Sequence, residues 1–366
     1  MLRSIHTRAT HELSAAATLA RNSRQRTEDG ALLMYLVGGL STAAAFGLFL
    51  QGSQWTAVPM LAFLATVVVG WTRYQAELVK GLTFLTTVAT VSVLSLIVVF
   101  LLLRSAPIVR EMGLSLLTRT SQPLWGQNGV YALTPMMVGT AVTTVIATAI
   151  AAPLGVAGAV FVSEIAPARL REVVKPGIEL MAGIPSITYG FIGLTIVNQY
   201  LYTEFRTPTI GSYFAAGVMI GIMALPTVVS VAEDALSTVP ESMKRGSLAM
   251  GSTDWQTTKS VTIPAAMSGV SAGVLLGVGR AMGETMAATV MLSHTKGFPT
   301  PVFDVFTNYG ETLTTVIAFE GGNASGTHMS ALFAAGVVLF GMVMLLSITS
   351  QWIEWRMHRT LEGENA

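Results

Sequence analysis

The chain has 366 residues, 52% of them hydrophobic and only 11% charged, with a formal net charge of +1. Together with a mean hydropathy of +0.61, this excludes an ordinary soluble domain and points to an all-α polytopic membrane protein. The charges stand in short blocks between apolar runs rather than on a basic face, so no nucleic-acid partner is expected, and the absence of cysteine removes disulfides, thiolate metal sites and thiol nucleophiles.

The first residues, 1–30, are polar and Arg-rich and read as a basic cytoplasmic segment without a cleavable leader. Runs long enough to cross the hydrocarbon core follow at Ala31–Leu50, Trp55–Trp71, Thr83–Leu103, Met136–Val162, Ile178–Val197, Ser212–Ala232, Met267–Leu292 and Ser330–Gln351. These predict eight transmembrane helices and a cytoplasmic tail, 352–366. The first two, joined only by Gln51-Gly52-Ser53-Gln54, form a hairpin over 31–72 that stands apart from a six-helix remainder. With the N-terminus inside, most Lys and Arg fall on inner segments, and only Arg104, Arg110, Arg119, Arg206 and Lys296 fall on outer ones, which places both termini in the cytoplasm of a multi-pass cell-membrane protein.

Two connections are long on the outer side, 104–135 and 293–329, and one on the inner side, 233–266. The inner one is expected to hold an amphipathic helix over 241–261 that lies on the membrane face or docks a partner. Glu164 and Glu179, flanking the basic loop 166–177, are expected in solvent or at the interface.

Within the seventh run stand Arg280 and Glu284. Even lenient insertion scales charge about 2.5–3.5 kcal/mol for each such residue at the bilayer centre, and a solute path is the default reason for them. On a continuous helix Gly273, Gly277, Arg280 and Glu284 share one face, which would meet another helix or a narrow pathway. Arginine first and glutamate four later is the weaker order for an intrahelical bridge. The arginine fork can hold two oxygens of a tetrahedral oxyanion. The glutamate then either holds that fork or accepts a hydrogen bond from a protonated anion, and a purely structural bridge to a partner helix is the alternative. In the fifth run Gly183-Ile184-Pro185-Ser186 predicts a kink or hinge, with the Ser186 and Thr188 hydroxyls as secondary solute contacts. The five histidines lack ligand spacing, so no metal site is expected.

In Arg245-Gly246-Ser247-Leu248-Ala249-Met250-Gly251, followed after nine residues by Val261-Thr262-Ile263-Pro264, the inner segment resembles the coupling loop of ABC-importer permeases. The family pattern is Glu-Ala-Ala, three residues, Gly, nine residues, Ile-x-Leu-Pro, and the acidic and small triplet is replaced here by Arg-Gly-Ser. The run Glu179-Leu180-Met181-Ala182-Gly183-Ile184-Pro185-Ser186-Ile187-Thr188-Tyr189-Gly190, with Gly279-Arg280-Ala281-Met282-Gly283-Glu284-Thr285, is similar to phosphate ABC permeases of the PstC type.

The resemblance covers 83–351, with a core at 136–351 and the coupling loop at 233–266. It implies a permease subunit that carries no catalytic residue and no cofactor of its own. It further implies a PstA-like partner permease, two copies of a PstB-like ATPase using ATP and Mg, a PstS-like extracytoplasmic binding protein, and phosphate as solute in a lipid membrane. Arg245, Gly251, Asp254, Ile263 and Pro264 would meet the ATPase: a short helix, a turn at Gly251 and a second helix stopped at Pro264. Tyr131 would lie on the outer face near the docked binding protein. A permease for another oxyanion or small solute, a proton-coupled secondary transporter with Glu284 as carrier, and a non-transporting scaffold are the competing readings.

Overall fold

The computed structural model describes residues 30–126, 129–207, 211–307 and 309–361. The basic segment expected over 1–30 lies outside the described residues except for Gly30, as do residues 362–366 of the expected tail. Among the described residues the regular structure is helical, with one isolated antiparallel bridge, Trp125 to Tyr131.

The chain divides into two units, 1–97 and 98–366. The first holds α1 (Gly30–Leu50), α2 (Ala57–Arg73) and the N-terminal half of α3 (Gln75–Met112). It therefore extends past the hairpin expected at 31–72. Tyr35 explains this, because its hydroxyl donates to the Glu77 carbonyl at 2.7 Å and its ring lies where a side chain at Gly81 would go. Gly70 packs in the same way against Met34 and Leu78. Most large apolar side chains of α1 and α2 are exposed, including Phe46, Phe49, Leu61 and Val68, as expected of helices that face lipid. At about 1.5 Å per residue, the 38 residues of α3 span ~57 Å, far more than the Thr83–Leu103 run needs.

In the second unit a single turn, α4 (Ser115–Thr118), leads to α5 (Thr134–Val160), which continues as a π-helical turn, Phe161–Ile165. Next come α6 (Ala168–Gly183), α7 (Ser186–Ile192), a π-helical stretch Gly193–Asn198 and α8 (Gln199–Glu204). The span expected as one helix over Ile178–Val197 is thus broken, and the two arms are bent by 90°. Pro185 is the cause: it disfavours the helical region for the residue before it, and Ile184 is extended at φ −68°, ψ 128°. The Tyr189 hydroxyl reaches back across the break and donates to the Met181 carbonyl at 3.0 Å, at the end of α6.

The most buried of the long apolar helices is α9 (Tyr213–Ser237), opened by the Ser212 side chain, which accepts from the Ala215 N–H at 3.2 Å. The inner segment then forms α10 (Glu241–Ala249), α11 (Asp254–Thr257), a π-helical turn Thr258–Thr262 and α12 (Ile263–Ala265). Pro264 does not stop this helix, which runs on to Ala265 before a 73° bend into α13 (Met267–Met282). After α13 come α14 (Met286–Met291), α15 (Leu313–Glu320) and the long α16 (Gly326–Leu361). Among the described residues six helices are long and apolar enough to span a membrane, and up to eight if each bent pair is one span. The latter agrees with the predicted count. The chain is a multi-pass membrane protein.

The core of this unit is α5 packed along α9, with α13 against both. Small residues allow the approach: at Gly277 a side chain would collide with Val228, and at Gly273 it would lie 3.1 Å from the Ala232 nitrogen. The predicted glycine face of α13 therefore meets a helix, α9.

Candidate functional site

Two of the motif segments converge where helices are broken. The seventh predicted span does not continue through Glu284: α13 ends at Met282, residues 283–285 are non-helical, and α14 starts at Met286. The helical-wheel alignment of Arg280 with Glu284 therefore does not hold, although Gly273, Gly277 and Arg280 all turn toward α9. Against α14 lies α7, and at Gly190 a Cβ would fall 2.8 Å from the Ala287 Cα and 2.9 Å from its carbonyl oxygen. The 183–190 and 279–287 segments thus meet backbone to backbone.

The break explains how two charges are tolerated in an apolar run. Arg280 is in the last turn of α13, where the partial negative charge of the helix end favours a cation. Glu284 precedes α14, and its Oε1 accepts from the Ala287 N–H at 2.9 Å, capping an N-terminus that favours an anion. The Glu284 carbonyl is held by the Thr314 hydroxyl of α15 at 2.8 Å. No ion pair joins Arg280 to Glu284, so the glutamate does not hold the fork. Arg280 is exposed, its Nη1 donates to the Thr227 hydroxyl of α9 at 3.2 Å, and no carboxylate among the described residues forms a salt bridge with it. Most of its donors remain open to an anion.

Of the secondary candidates, Pro185 occupies the break itself, Ser186 is half-buried at the start of α7, and Thr188 and Gly183 are exposed. Neither the Ser186 nor the Thr188 hydroxyl is hydrogen-bonded to Arg280 or Glu284.

The inner segment has the expected helix–turn–helix form. Gly251 turns at φ +88°, a conformation that a Cβ would strain, and the neighbouring Met250 is 87% exposed. Asp254 opens α11 behind a Thr253 capping box. Arg245 is exposed and pairs only within its own helix, with Glu241 at 3.6 Å. Ile263 and Pro264 are half-buried at the bend into α13. Glu164 is half-buried, and its carboxylate is bonded to Lys244 of α10 at 2.8 Å.

A second charged cluster escaped the sequence reading. Glu311, with a fully buried side chain, has its Oε1 2.7 Å from His294 Nδ1 and its Oε2 3.8 Å from Lys296 Nζ. Lys296 Nζ lies 2.5 Å from Glu320 Oε1, and Glu320 Oε2 meets His328 Nε2 at 2.6 Å and the Trp125 indole N–H at 2.8 Å. Tyr131 stacks on His328 and is buried here. Burial pushes the Glu311 carboxyl above its ordinary value, against the pull of Lys296 and His294. Desolvation acts to raise Glu320 too, but hydrogen bonds from Lys296, Trp125 and His328 hold it below the ordinary carboxylate value. In this cluster every charge has an opposite partner.

Comparison with known proteins follows the same lines. Residues 151–359 match the family described as "Binding-protein-dependent transport system inner membrane component". The chain is 37% identical over 229 residues, 62% of its length and 72% of the relative's, to "Probable ABC transporter permease protein YqgH" of Bacillus subtilis. It is 34% identical over 265 residues to "Phosphate transport system permease protein PstC" of Mesorhizobium japonicum, covering 67% of this chain and 79% of that protein. To the protein of the same name in Haemophilus influenzae it is 31% identical over 305 residues, covering 78% of this chain and 94% of the relative. The chain belongs to the family of inner membrane components of binding-protein-dependent transport systems.

Proposed function

We propose that the chain is the permease subunit of an ATP-driven phosphate importer, with Arg280 as the anion-binding residue of the translocation path. The observation that carries this is the state of Arg280: a permanent cation in an apolar run, exposed, with one neutral hydrogen bond and no carboxylate partner among the described residues. Such a fork suits two oxygens of a tetrahedral anion. Glu284 has one oxygen committed to capping α14, and its other oxygen is available to accept from a protonated phosphate, a hydrogen bond that sulfate cannot donate.

The names of the relatives support phosphate as the solute. In this reading a PstA-like permease supplies the other half of the path, and a PstS-like protein delivers phosphate from outside. Two PstB-like ATPases push on residues 241–264, and ATP with Mg is bound and hydrolysed there rather than on this chain. Both termini face the cytoplasm.

The test is reconstitution of the four-component complex in liposomes with labelled phosphate. Uptake should require ATP and the binding protein and persist without a proton gradient. Uptake that survives ATP depletion but collapses with the gradient would sink the reading.

A further inference from the structure

Helix α10 has no buried residue. Besides its chain connections to α9 and α11, α10 is held by polar side-chain contacts rather than by a buried apolar face. Among the described residues, two such contacts attach it to the rest of the unit. The Ser247 hydroxyl accepts from the Thr257 hydroxyl at 3.0 Å, which ties α10 to the following helix of the same segment. The other leaves the segment: Lys244 Nζ meets both oxygens of Glu164, at 2.8 and 3.0 Å. The side chains of this pair are only 16% and 9% exposed. A pair so withdrawn from water is stiffer and less screened than a surface bridge, and loss of one member strands the other's charge.

Glu164 is well placed to receive a push. It lies in the π-helical turn Phe161–Ile165 that continues α5, and π-helical turns recur at functional positions of membrane and soluble helices alike. Its Oε1 also accepts from the Ser163 hydroxyl at 2.8 Å, and the Ser163 carbonyl accepts from Arg171 Nη2 of α6 at 2.5 Å. Beyond that turn α5 packs along α9, which holds Thr227, and against α13, which holds Arg280.

We infer that Glu164 and Lys244 form the strut that carries ATP-driven displacement of α10 into α5 and so to the Arg280 site. They are positioning residues, touching neither solute nor nucleotide. The inference rests on the permease reading above.

The experiment uses the reconstituted complex with labelled inorganic phosphate and records phosphate uptake and ATP hydrolysis in parallel. Glu164→Gln and Lys244→Met should leave co-purification with the partner chains intact and hydrolysis near the wild-type rate. Phosphate moved per ATP should fall by about tenfold, within the range of allosteric couplings. Lys244→Arg, which keeps the charge, and the exchange Glu164→Lys with Lys244→Glu should each recover most of the ratio. If the single variants transport with an unchanged ratio, or if uptake and assembly are lost together and the exchange recovers neither, the strut is overturned while a working wild-type complex leaves the permease reading standing. Absence of ATP-dependent uptake by the wild-type complex would remove both.

Discussion

The Arg280 site and the Glu311–Glu320 cluster carry similar residues in opposite states. In the cluster Lys296 lies between two carboxylates and each histidine is seated on one. At the helix break Arg280 and Glu284 are four residues apart yet unpaired, one directed at Thr227 and the other capping α14. Neutralised charges fix a fold, and they have little left to offer a ligand. An exposed charge without a carboxylate partner keeps its donors free for an incoming anion. We propose that the cluster holds the fold and that the break binds the anion.

The sharpest way to break this contrast is Arg280→Gln. Loss of a desolvated charge contact costs about 2–5 kcal/mol, so phosphate uptake should fall by at least roughly 30-fold. Because Arg280 lacks a carboxylate partner, melting temperature and assembly should hardly move. Arg280→Lys keeps the charge without the fork and should recover only part of the uptake. A variant that loses assembly instead would make Arg280 a structural bridge.

Gly190→Ala retains every charge but disturbs the break itself. A methyl there meets the Ala287 backbone, which has no rotamer to move aside, and overpacking of this kind costs up to about 3 kcal/mol. A lower melting temperature together with reduced uptake is expected. Normal uptake in the folded variant would mean that the site does not depend on α7 seating against α14.

The sequence made the apolar spans, the turn at Gly251 and the Arg280–Glu284 motif legible, because apolar run length and glycine or proline punctuation are local signals. It concealed the break at 283–285, since a 3.6-residue pattern reads through it. The clue was Gly283 followed by Glu284 and Thr285, a helix stop and a helix start side by side. Pro185 announced an interruption, but the 90° turn depends on α7 finding α14 and has no local code. The Glu311–Glu320 cluster had no usable spacing at all: His294, Glu311, Glu320 and His328 are brought together by the connection before α15, by α15 and by the first turn of α16.

Glu320→Gln tests the holding role. Exchanging a carboxylate bonded to Lys296 for an amide should cost about 1.5 kcal/mol, read as a lower melting temperature of the purified complex at pH 7, with uptake changed far less than by Arg280→Gln. The Glu320 carboxyl is held below its ordinary value, so its contribution is present above the ordinary carboxylate range and lost as pH falls through the depressed folded value. The gap to wild type should therefore stay constant near neutrality and close only in acid. A gap that widened in acid would contradict the assignment.

Glu311→Gln should give a smaller effect of the opposite sign. Its carboxyl is pushed up by burial, so the folded state favours the protonated form. That contribution is complete below the ordinary carboxylate value and disappears as pH rises through the raised folded value. At pH 8, well above the ordinary carboxylate range, burial of this group is a burden on the fold, relieved in part by His294 at 2.7 Å and Lys296 at 3.8 Å. An uncharged amide can still accept from His294 and escapes the desolvation cost. The variant should thus melt at or slightly above the wild type at pH 8, by about 1 kcal/mol or less, and the difference should shrink as pH is lowered toward the ordinary carboxylate range. If Glu311→Gln instead melts well below wild type at pH 8, the ionised Glu311 is a net stabiliser, and pairing in this cluster outweighs its burial.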